Sequence, residues 1–181
     1  MRWSGSIRNQ FIKNMDVIPL ICIGILSRLL PHPANMTPVG AMALFTGAKF
    51  GMKKALIITL ATMLITDVFL GFHPVMWATY GSFILAIVIG WSIAKRQTVR
   101  NIAGAAIASS LLFFIVTNFA VWTIPGSMYP KTWAGLLDCY IMALPFFRNS
   151  LIGDMCYTAV FFGGYELATF LHTRVIPSRR T

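Results

Sequence analysis

Acidic residues are scarce in this chain: five Asp and Glu in 181 residues, against fifteen Lys and Arg. Charged residues together make up 11%, while hydrophobic residues make up 57% and the mean hydropathy is +0.72. A soluble domain carries roughly 25% charged residues, so this composition excludes an ordinary soluble fold and indicates an integral membrane protein. The net charge of +10 would in a soluble chain suggest nucleic acid. Here the basic residues flank apolar stretches and meet anionic headgroups, so the expected partner is the lipid bilayer and no nucleic acid is expected. Cysteine is also sparse. Cys22, Cys139 and Cys156 are far apart and lack CxxC spacing, which excludes a disulfide framework and a cysteine-rich metal site. They read as small, inert side chains. GxSxG, a Walker-type glycine loop, HExxH and closely spaced carboxylates are all missing, so the chain carries no signature of a hydrolase, an ATPase or a zinc enzyme. It reads as a non-enzyme without a cofactor. No small-residue cleavage site follows the first apolar run, Val17 to Leu30, which contains Arg28 and ends in Pro31-His32-Pro33; the run is expected to stay in the mature protein.

The basic residues supply the topology. Twelve of the fifteen fall in four places: Arg2, Arg8 and Lys13; Lys49, Lys53 and Lys54; Lys95, Arg96 and Arg100; and Arg174, Arg179 and Arg180. Basic residues are retained on the cytoplasmic side of a membrane. An out-and-back pair of spans in each gap gives an all-α protein of six transmembrane helices in the cell (inner) membrane, with both termini cytoplasmic. The expected spans are about 16–30, 38–50, 54–72, 75–93, 102–124 and 151–172, in a single membrane domain over 1–181. The second has about thirteen residues where ~20 are needed to cross as a regular helix, so it is either a short helix lodged inside the bundle or a tilted, partly broken one. Ala43, Gly47 and Gly51 give it a smooth face, and Ser82, Ala86 and Gly90 give the fourth span another; such stripes allow close helix approach. Thr132 to Leu144 reads as an extra short outer helix, interrupted by Asp138 and stopped by Pro145.

With that topology most of the unusual polar residues fall in the outer half. Arg28, His32, Asn35 and Thr37 lie at the first outer turn and Asp67 and His73 at the second, followed by Trp77 and Tyr80. Asn118 and Trp122 close the fifth span, and Asp138, Tyr140, Arg148, Asn149 and Asp154 belong to the third outer region. An ionised side chain in the bilayer core costs a few kcal/mol or more (~2.5–3.5 on insertion scales), so Arg28, Asp67 and Asp154 must face protein or water. In a purely structural arrangement Arg28 and Arg148 neutralise Asp67 and Asp154. In a functional one Arg28, His32, Asn35, Asp67, His73, Tyr80, Asn118, Trp122 and Asp154 form an outward cup for a small polar solute, with rings supplying apolar contact and polar tips fixing orientation. Trp77, Tyr80 and Trp122 also suit an interfacial aromatic belt. His32 and His73 with one Asp lack metal-ligand spacing, and no metal is expected.

The stretch Arg28-Leu-Leu-Pro-His-Pro-Ala-Asn-Met-Thr-Pro-Val-Gly-Ala-Met-Ala-Leu-Phe-Thr-Gly-Ala, with Asp67 to His73, Ser110 to Trp122 and Pro145 to Asp154, resembles an uncharacterised S-component-like family. More broadly, the chain is similar to the substrate-binding S-components of energy-coupling-factor vitamin transporters. The resemblance implies a bundle that captures a vitamin-type micronutrient from outside, alongside a membrane scaffold subunit with ATPases. The Ala-x-x-x-Asn motif of those transporters has no counterpart here, since none of the six Asn residues has Ala four positions earlier. A solitary mode is therefore open. Two other readings remain: a non-transporting membrane scaffold or cell-envelope assembly partner, and an intramembrane enzyme.

Overall fold

A computed structural model describes residues 17–175, and among them the chain is all-helical, with six helices and no strand. Arg2, Arg8, Lys13, Arg179 and Arg180, and Asp16 at the start of the first expected span, lie outside the described residues. The helices are α1 (Val17–Leu29), α2 (Val39–Phe50), α3 (Met52–Leu70), α4 (Met76–Ser92), α5 (Val99–Thr123) and α6 (Trp133–Val175). The first four agree with the expected segments to within two residues. The fifth begins three residues early, because the Thr98 side chain accepts the Asn101 N–H at 3.2 Å and caps the helix there.

Helix α2 is the centre of the bundle. Nine of its twelve residues are buried, from Val39 and then Ala41 through Ala48, and it touches all five other helices. The lodged-helix reading of this short segment holds, and the partly broken one does not. At 1.5 Å per residue its axis covers about 18 Å, well short of a bilayer core of ~30 Å. Around it α1 packs on α3, α3 on α4, α4 on α5 and α5 on α6. Gly51, at φ 80, joins α2 directly to α3, a left-handed backbone that favours glycine.

Two small-residue stripes make the tightest crossing. A Cβ added to Gly47 would run into the Ile87 carbonyl oxygen, and one on Gly90 would run into that of Leu44. The stripes of α2 and α4 therefore face each other, with Ala43 and Ala86 buried in one cluster with Ala55 and Ile87. Gly51 is excepted, since nothing lies near its Cβ position; it serves the corner and not the contact.

The sixth helix corrects the sequence reading. Pro145 does not stop it: α6 runs 43 residues from Trp133 to Val175 with Pro145 inside, so the extra short outer helix and the sixth span are one element. Proline removes one backbone donor and crowds the preceding turn. Contacts to α5 hold the helix on both sides of that defect. Tyr140 donates its hydroxyl to the Ile115 carbonyl at 2.8 Å, and the Phe147 ring lies 4.7 Å from that of Phe114. The Thr132 hydroxyl accepts the Gly135 N–H at 3.2 Å and caps the start of α6.

By length and composition α5 alone among the described helices is long and apolar enough to cross a membrane; α1, α2 and α4 are apolar but shorter. Besides its apolar core, the bundle exposes many large apolar side chains and buries several polar ones. Ile18, Ile57, Phe69, Trp91, Ile107 and Val160 are exposed, whereas Thr59, Thr62, Thr66, Asp67, Ser110 and Thr158 are buried.

Candidate functional site

At one end of the bundle Arg28, the last basic residue of α1, reaches across to α3. Its Nη1 lies 2.7 Å from Asp67 Oδ1 and donates to Thr66 Oγ1 at 2.5 Å. From α4 the Tyr80 hydroxyl donates to Asp67 Oδ2 at 2.7 Å. Both carboxylate oxygens of Asp67 are therefore satisfied, and the residue is 1% exposed. Three helices are tied by one carboxylate. The anticipated Arg28–Asp67 pair is present, with Tyr80 as its third member.

The other buried carboxylate is held differently. Asp154, on α6, accepts the Ser110 hydroxyl of α5 at 2.6 Å, and the backbone N–H of Ala41, in the first turn of α2, also donates to it. Unpaired N–H groups at a helix start favour an anion, so Asp154 serves as an outside cap for α2. Gly40 permits the approach: a Cβ there would stand 2.6 Å from Asp154 Oδ1. The expected Arg148–Asp154 neutralisation is absent. Among the described residues no Lys, Arg or His forms an ion pair with Asp154, because Ser110 and the α2 backbone hold the carboxylate within the bundle.

Lined by Arg28 and Asp154 is a cavity of about 460 Å³, within the ~300–1,000 Å³ typical of small-molecule sites. Of the nine expected cup residues, Arg28, His32, Asn35, His73, Asn118 and Asp154 line it. Asp67 and Tyr80 do not; they stand behind Arg28 and fix it. Trp122 lies elsewhere, donating its indole N–H to the Pro130 carbonyl at 2.9 Å, with the Lys131 ammonium 5.5 Å above its ring. It organises the α5–α6 loop, where Lys131 also donates to the carbonyl of Trp122 in the last turn of α5 and to that of Ile124 just past its end.

Local chemistry places the lining residues. Asn35 sits at φ 60 in a turn closed by the Met36 N–H on the Pro33 carbonyl at 3.0 Å, a left-handed position that Asn tolerates better than most residues. The turn is tethered to α6 by Asn149, which donates to the Ala34 carbonyl at 3.2 Å. Asn118 donates its amide to the Phe114 carbonyl one turn back, at 2.8 Å.

Sequence reasoning missed the other wall. Ser82, Ser109, Phe113, Phe114, Phe146 and Phe147 line the cavity as well. The usable signal was the pair Ser109-Ser110 in an otherwise apolar helix: Ser110 holds Asp154, and Ser109 faces the cavity without a hydrogen-bond partner. Among the described residues no group of three His, Cys, Asp or Glu stands together as a metal centre requires.

Residues 9–177 match the model of a family described as a family of unknown function, DUF6580, and the chain belongs to that family. No curated protein and no solved structure matches it.

Proposed function

We propose that this DUF6580 protein is a multi-pass protein of the cell membrane, with six spans and both termini cytoplasmic, that captures a small polar, vitamin-sized solute from the extracytoplasmic side. The observation that carries the reading is the cavity of about 460 Å³. It combines five phenyl rings with Arg28, His32, His73, Asn118 and Asp154, the mix of apolar walls and few polar groups that small-molecule sites use.

The membrane placement is supported by the exposed apolar residues on the five helices around α2, because so large an exposed apolar area needs an apolar surrounding. Sidedness rests on the basic clusters. Gln97 donates to the Ala48 carbonyl at 3.0 Å, so the loop carrying Lys95 and Arg96 shares one end with Lys49, Lys53 and Lys54. His32 and His73 open at the other end. The similarity to vitamin-transporter S-components accords with a short second helix and a cup at the end away from the lysine clusters, and a scaffold subunit with ATPases is the partner it implies. The scaffold-protein reading is weaker, since the glycine stripes it would offer to other subunits are occupied by each other inside the bundle.

Native mass spectrometry of the detergent-solubilised protein tests the proposal. A retained small molecule is expected in the wild type and its loss in Ser109→Phe, which fills the cavity while keeping the Ser110–Asp154 contact. A molecule retained equally by both proteins, or by neither, would refute the cup. Cysteine labelling that placed His73 on the same side as Lys53 would refute the topology.

A further inference from the structure

We infer that the solute is a monocation with a flat apolar body, held between the Asp154 carboxylate and the phenyl rings of the cavity. The inference rests on the solute-cup reading and adds the charge and shape of what the cup takes.

Charge is the first observation. The titratable groups on the wall are Arg28, His32, His73 and Asp154. Arg28 is neutralised by Asp67 at 2.7 Å, with Tyr80 completing the Asp67 shell from α4. Among the described residues neither histidine forms an ion pair with a carboxylate. Asp154 remains, held only by neutral donors, the Ser110 hydroxyl and the Ala41 N–H. The wall thus carries one uncompensated carboxylate, and a single positive charge complements it.

Two further features face the same space. Ser109 is 6% exposed, lines the cavity and has no hydrogen-bond partner for its hydroxyl, so a buried polar group next to Ser110 is left for a solute to satisfy. Phe83, Phe113, Phe114, Phe146 and Phe147 bring five rings to the wall, the Phe114 and Phe147 centroids being 4.7 Å apart. Ring faces are electronegative and attract cations, and they stack on flat groups. An anion meets Asp154 and these faces with no free cation except the histidines.

The competing account is that Asp154 only caps α2. The test uses the purified full-length protein in detergent and three flat probes of matched shape: benzamidinium (+1), benzamide (0) and benzoate (−1), measured by isothermal titration. Benzamidinium should bind about tenfold or more tightly than benzamide, the factor expected of one charge-assisted hydrogen bond, and benzoate most weakly. Asp154→Asn, which retains an acceptor oxygen for the α2 cap, should bring benzamidinium down to the benzamide value. Ser110→Ala keeps the carboxylate and should preserve the order of the three probes. The wild-type ranking decides the matter even where a variant fails to fold. Equal binding of benzamidinium and benzamide, tightest binding of benzoate, or no binding of any probe overturns the cation. If native mass spectrometry still finds a retained molecule, the cup stands and only its charge preference falls; if it finds none, both fall together.

Discussion

The two ends of α2 have opposite constructions. At its N-terminal end the helix meets Asp154, Gly40 and an open cavity. At its C-terminal end Phe45 is enclosed by Phe50, Phe161, Phe162 and Tyr165, with ring centroids at 5.6, 5.6, 5.2 and 5.8 Å. Each such ring pair contributes about 0.5–1.5 kcal/mol beyond simple burial, so this end is a solid plug. The charges differ in the same sense. Asp67 and Asp154 are enclosed by protein groups, whereas Lys49, its side chain 7% exposed beside the plug rings, meets a carboxylate at 2.7 Å, Glu166, that is 62% exposed. If the cavity takes a solute as proposed, a bundle open at one end and plugged by aromatic rings at the other would admit it from one side only, and its passage onward would need the plug to move.

If enclosed charge holds the cavity end together, the largest effect comes from Asp67→Asn. It leaves the Arg28 guanidinium, 15% exposed, beside a neutral amide. Removing one member of a buried pair costs about 3–5 kcal/mol, and Arg28→Gln in the same chain should recover much of it. Thermal melting in detergent measures both. A single variant that melts like the wild type would show the cavity end to be no more charge-dependent than the plugged one.

The crossing of α2 and α4 lies between the ends, and Gly90→Leu probes it. The new side chain meets the Leu44 carbonyl, backbone that cannot swing aside. Overpacking of this kind costs about 1–3 kcal/mol, and it should lower the melting temperature and loosen cavity and plug together. Loss of solute retention without any fall in melting temperature would mean that the ends are independent.

What the sequence revealed divides along the same lines. Helix positions followed from runs of apolar residues, and the pairing of Arg28 with Asp67 followed from the cost of burying either alone. Both are local or pairwise arguments. Pro145 was misread because its stop signal is local, while the contacts that carry α6 through it, Tyr140 to Ile115 and Phe147 to Phe114, come from a helix some thirty residues away. Trp122 was placed in the cup by depth alone, and depth does not fix which way a ring turns. The central position of α2 was one of two readings of its shortness; its burial on all sides is set by five other helices.

The smallest effect is expected at the plugged end, from Glu166→Gln. Lys49 and Glu166 form an ion pair there, at 2.7 Å; the Lys49 side chain is 7% exposed but Glu166 is 62% exposed, and a pair open to solvent on its carboxylate side contributes about 0–1 kcal/mol. The Lys49 ammonium also lies 4.3 Å from the Tyr165 ring centroid and 5.8 Å from that of Phe162, contacts that the substitution leaves in place. Melting should therefore fall only slightly, and less as salt is raised, since screening already weakens an exposed pair. A fall as large as that of Asp67→Asn would mean that this salt bridge holds the plug shut as firmly as Asp67 holds the cavity wall, and the contrast between an aromatic end and an ionic end would no longer stand.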